Sequence, residues 1–109
     1  MAYDEGLADR VREALAARPE VSERKMFGGI GFMVAGKMAV GVIGEDLIVR
    51  LDPADAERAL AEDGVREFDF TGRPMRGWIY VSPERTSEDG ELAQWADAGA
   101  DHAASLAAK

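Results

Sequence analysis

An α+β fold built on a mostly antiparallel sheet is the class this sequence predicts. Two observations carry the prediction. Apolar residues recur every three to four positions near the N-terminus, and every second position from Val21 onward. The apolar segments between Val21 and Leu51 are also separated by short glycine turns. Such turns suit hairpins and leave no room for the helical crossovers that parallel strands need.

The expected order is α-β-β-β-β-α-β-β-α. Asp4 can cap a first helix whose stripe is Leu7, Val11, Ala14 and Leu15, and Pro19 ends it near Arg18. Four strands are expected at about 22–27, 30–35, 38–43 and 46–51, joined at Gly28-Gly29, Gly36-Lys37 and Gly44-Glu45. In the third, Met38, Val40 and Val42 share one face, and Ala39, Gly41 and Ile43 the other. Two apolar faces predict a central strand covered on both sides. Asp52-Pro53 starts a second helix that reaches about Glu62, turns Ala56, Ala59 and Leu60 inward, and stops before Gly64. A short extended segment, Val65–Phe70, is followed by the loop Thr71-Gly72-Arg73-Pro74 and a strand from Met75 to Val81. In that strand Arg76, Trp78 and Tyr80 should face one way. The last helix starts near Ser87 or Asp89 along the stripe Leu92, Trp95, Ala96, Gly99, Ala103 and Leu106. Nothing reads as a linker or repeat, so residues 1–109 are expected to form one domain.

A content of 47% hydrophobic and 31% charged residues is that of a soluble globular chain and not a disordered one. No apolar run approaches the ~18 residues of a membrane span. The opening MAYDEGLADR lacks the basic-then-apolar order of a signal peptide. Without cysteine there is no disulfide framework, thiol nucleophile or thiolate metal site. A cytoplasmic location and no membrane association are expected. The net charge of -8 argues against direct nucleic-acid binding, because phosphate contacts dominate such affinity. Only segments 21–51 and 71–85 are net positive.

The run RKMFGGIGFMVAGKMAVGVIG, residues 24–44, contains no Asp or Glu. Its glycines do not read as a phosphate loop. Such a loop opens onto a helix, whereas Phe32-Met33-Val34 is strand-like, and Gly36-Lys37 is followed by Met38 and no hydroxyl residue. His102 is the only histidine, so neither a zinc site nor a Ser-His-Asp triad is expected, and Ser22, Ser82, Ser87 and Ser105 read as strand, turn, cap or surface residues. The carboxylates of 52–70 read as a solvated helix and its flanks, without calcium-loop spacing. No catalytic residue, metal or cofactor is expected.

Met26, Phe27, Phe32, Met33, Met38, Phe68, Phe70, Met75 and Trp78 read mainly as core, with a subset available as an adaptable exposed patch. Arg24, Lys25, Arg73 and Arg76 would converge if the strand at 22–27 lay beside the loop at 71–76, with Trp78 as an apolar wall. That cluster would suit an anionic ligand or a partner. The alternative is that these cations pair with the acidic helix at 52–63.

The segments YDEGLADRVREAL, KMFGGIGFMVAGKMAVGV and DFTGRPMRGWIYV together resemble the N-terminal domain of the TfoX/Sxy regulators of bacterial competence, over about residues 3–107. The resemblance implies a small α+β fold similar to that of the secretion chaperones. It also implies a regulatory, non-enzymatic interaction module, here a stand-alone N-terminal domain. Transcription or competence regulation, a protein partner and a homodimer are the expectations that follow. It carries over no catalytic residue.

Overall fold

Two aspartates start the first two helices as anticipated. Asp4 accepts from the Leu7 amide at 3.1 Å to open α1 (Glu5–Ala14), and Asp52 accepts from the Ala54 amide at 3.0 Å to open α2 (Pro53–Ala59). Between them lie β1 (Val21–Met26), β2 (Gly29–Val34), β3 (Lys37–Ile43) and β4 (Asp46–Arg50). After α2 come β5 (Val65–Glu67), β6 (Trp78–Val81), the short α3 (Pro83–Thr86) and the long α4 (Asp89–Ala107). This computed structural model describes residues 3–26, 28–69 and 72–108. Phe27, Phe70 and Thr71, which carry part of the expected core and loop, lie outside the described residues.

The strands form one sheet in the order β1-β2-β3-β4-β6-β5, and every pairing between them is antiparallel. The α+β class and the element order are therefore as expected, with α3 added. α2 ends at Ala59 and β5 at Glu67, short of the expected Glu62 and Phe70. Two further boundaries differ. The chain leaves α1 at Leu15, ahead of Pro19. The last strand starts at Trp78 because Gly77 adopts φ +89, and a Cβ there would lie 2.7 Å from the Leu51 carbonyl oxygen. Only glycine fits that turn. Arg76 consequently sits in the turn and does not share a strand face with Trp78.

Cross-strand partners share a face of the sheet. One such row runs Lys25, Ile30, Val42, Leu47, Val81, Val65, and the next runs Glu23, Phe32, Val40, Val49, Ile79, Glu67. The apolar members of both rows join one buried cluster with Leu7, Val11 and Leu15 of α1 and Leu92, Ala96 and Ala100 of α4. Each fully buried Val, Leu, Ile or Phe among them contributes about 1.5–3 kcal/mol. Gly99 lets α4 approach β3 closely, since a Cβ there would strike the Ala39 carbonyl oxygen.

The opposite face is built differently. Its central row is Arg24, Gly31, Gly41, Ile48, Tyr80, Arg66. A Cβ at Gly31 would lie 2.9 Å from the sulfur of Met38 and 3.0 Å from that of Met26, and one at Gly41 would lie 2.8 Å from the Met38 methyl. These two glycines are seats for methionine side chains lying flat on the sheet. Met33, Met38, Ile48 and Phe68 are buried on this side. The β2–β3 register shifts between Phe32 and Met33, so Met38 lies on this face and not, as expected, with Val40 and Val42. β3 is still covered on both faces, and burial explains why the middle of the acid-free run excludes carboxylates.

Candidate functional site

The strand order separates the basic residues that the sequence places together. Arg24 and Lys25 lie exposed on β1, at one edge of the sheet. Arg73 is exposed in the loop, Arg76 is exposed in the turn, and Trp78 opens β6 half-buried. Strands β2, β3 and β4 intervene, so β1 and β6 are four strand spacings apart, about 19 Å. The row through Lys25 also meets β6 at Val81, the far end from Trp78. The expected convergence of Arg24 and Lys25 with Arg73, Arg76 and Trp78 does not occur. Pairing with the acidic helix is not seen either. Among the described residues, the α2 region is served by Arg58 to Asp55 and Arg85 to Glu62, and none of the four candidates enters an ion pair.

Arg76 and Trp78 do share a groove of about 290 Å³ between α2 and the segment before β6. Pro53, Ala56, Leu60 and Met75 supply its apolar wall, and Glu57 and Glu67 also line it. Two carboxylates against one guanidinium do not select an anion. Trp78 is moreover occupied: Arg50 lies over its ring at 5.2 Å, and the Phe68 ring is 5.7 Å away.

The β1 edge has a different character. The Ala35 amide donates to the Glu20 carbonyl at 3.0 Å, immediately before the β1–β2 ladder begins with Val21 opposite Val34. Hydrogen-bonded pairs alternate along an antiparallel ladder. Ser22, Arg24 and Met26 therefore turn their backbone groups inward to β2, while Val21, Glu23 and Lys25 turn theirs outward. No strand among the described residues pairs with that outer side. The side chains from Ser22 to Lys25 are exposed as well.

One side chain on this edge is held. Arg12 of α1 donates from Nη2 to Glu23 Oε1 at 2.7 Å and from Nε to the other oxygen, and its guanidinium sits 5.8 Å from the Phe32 ring centre. That hydrogen bond, opposed by partial burial, lowers the Glu23 pKa below its ordinary value and raises that of Arg12. Lys25 stands two residues along on the same face. Glu23 and Arg12 are the members of this edge that sequence reasoning missed. The signal was the strand period of two, which groups Glu23 with Lys25 and sets Arg24 on the other face.

Elsewhere the polar groups serve the fold. Ser82 accepts from Arg66, Ser87 donates to the Glu84 carbonyl, and Ser105 donates to the His102 carbonyl. Among the described residues no group of three or more His, Cys, Asp or Glu could hold a metal ion, and no helix is long and apolar enough to cross a membrane. No curated protein matches the chain. The TfoX N-terminal domain family matches residues 13–103 of the 109, a span that runs from the end of α1 through most of α4. With that match covering the whole sheet and most of α4, the chain belongs to the TfoX N-terminal domain family.

Proposed function

We propose that this protein is a non-enzymatic regulatory module that works by protein–protein contact in the cytoplasm, in transcription or competence regulation of the kind the resemblance to the TfoX/Sxy regulators implies. The observation that carries the reading is the outer side of β1, where three residues offer backbone donors and acceptors beside exposed polar side chains. An added strand supplies affinity through main-chain hydrogen bonds and selectivity through side chains on alternate faces. Membership of the TfoX N-terminal domain family supports a regulatory module, and the net charge of -8 favours acting through protein over direct contact with DNA.

A photo-crosslinking amino acid placed at Lys25 tests this in host cells. Protein adducts are expected from that position and not from Lys37, which is also exposed but begins a strand inside the sheet. No adduct from either position would remove the reading.

A further inference from the structure

We infer that the partner of the β1 edge is β1 of a second copy of this chain, paired antiparallel about Arg24. This deepens the reading above and rests on it. A two-fold axis perpendicular to two antiparallel strands places one residue opposite its own copy. Each residue then faces one of the same sheet face, and the helices of both copies lie on the same side. Two centres bring most of the short strand into contact. Centred on Glu23, the pairing sets two carboxylates directly against each other. Centred on Arg24, it sets Glu23 of each copy opposite Lys25 of the other, and Ser22 opposite Met26.

The second register satisfies three independent features. Glu23 and Lys25 are two of the three residues whose backbone groups point outward, so each Glu23–Lys25 pair exchanges two hydrogen bonds, four in all, against six for the Glu23 centre, which also uses Val21; the charges decide between the two. Their side chains lie on one face, so opposite charges meet across the new ladder. Arg12 already fixes the Glu23 carboxylate by two hydrogen bonds, which lowers the cost of ordering it. The like-charged Arg24 pair falls on the opposite face, where both guanidinium groups are exposed and can swing into water. Charges on an edge commonly guard it against pairing. Here each centre carries one like-charged pair on the axis, but only the Arg24 centre adds two opposite-charge pairs, so the charges favour that register. Joining the two sheets would give one continuous sheet of twice the width.

Sedimentation equilibrium of the purified chain, from micromolar to millimolar concentration, tests the pairing. A monomer–dimer equilibrium is expected. K25E should weaken it about tenfold or more, since both charge pairs become repulsive. Mixing K25E with E23K should restore dimer at a concentration where each variant alone is largely monomeric. K25P provides a backbone test that leaves the inner ladder intact, and it should also give a monomer. A parent chain that stays monomeric at millimolar concentration would overturn the inference, as would a dimer unaffected by K25E and K25P. Crosslinks from position 25 to other proteins, with a pure chain that is strictly monomeric, would overturn this pairing while leaving the interaction reading in place.

Discussion

The two edges of the sheet are managed in opposite ways. At one end β5 has only three residues, and its first outward group is already taken: the Val65 amide, which points away from β6, donates to the Glu62 carbonyl at 3.3 Å. Arg85 reinforces that corner by donating to the Asp63 carbonyl at 2.6 Å while contacting Glu62 and Glu91 at 2.7 Å. At the other end β1 has six residues, contains no proline and keeps regular register with β2. A short, capped edge is a common way to prevent strand addition. The long edge lacks those devices, and its charges are of both signs. The same sheet thus terminates once for stability and once with its hydrogen-bonding capacity left open.

The largest effect is expected within β1 itself. R24P removes an amide that bonds β2 and should cost about 3 kcal/mol, whereas K25P removes an outward amide and should cost under about 1 kcal/mol in dilute solution. Urea denaturation of the two variants reads the difference, and equal losses would mean that the inward and outward assignments are wrong. A second substitution tests what holds the long edge to the sheet. Gly31 is the β2 partner of Arg24 and the seat of Met26 and Met38. G31V must displace both thioethers and should cost about 1–3 kcal/mol, with amide protection lost first in β1 and last in β5.

The short edge should respond to R85A, at about 1–2 kcal/mol, with faster exchange of the Val65 amide and no change in self-association. The smallest effect is electrostatic. Because Arg12 holds the Glu23 pKa below its ordinary value, its contribution to stability is present above the ordinary value of 4.5 and is lost as pH falls through the folded-state value. E23Q should therefore lower stability slightly near neutrality and converge with the parent in acid. Denaturation curves across pH 3–7 give the comparison, and a constant gap at all pH values would exclude the Arg12–Glu23 pair as its cause.

Most of the fold was legible because local rules and tertiary demands agree. The caps at Asp4 and Asp52, the glycine turns and the two apolar faces of β3 each specify one element with a known partner in the next. The functional candidates were not legible in the same way. Arg24, Lys25, Arg73 and Arg76 are grouped by charge, but strand order decides which charges meet, and no local pattern encodes that β1 lies at the edge. Arg76 was misplaced for a separate reason: Met75 to Val81 reads as one strand, and only the positive φ at Gly77 reveals the turn. The assignment of Glu23 and Lys25 as outward residues needs the phase of the hydrogen-bond ladder. That phase depends on a single contact, from the Ala35 amide to the Glu20 carbonyl.

Residue-resolved amide hydrogen exchange at low and high protein concentration tests the open edge most directly. In dilute solution the amides of Glu23 and Lys25 should exchange freely while those of Ser22 and Arg24 are protected. Raising the concentration should slow Glu23 and Lys25 and leave Ser22 and Arg24 unchanged. Protection of Glu23 and Lys25 already at the lowest concentration, or free exchange of both at the highest, would contradict an edge that is closed by a second copy of the chain.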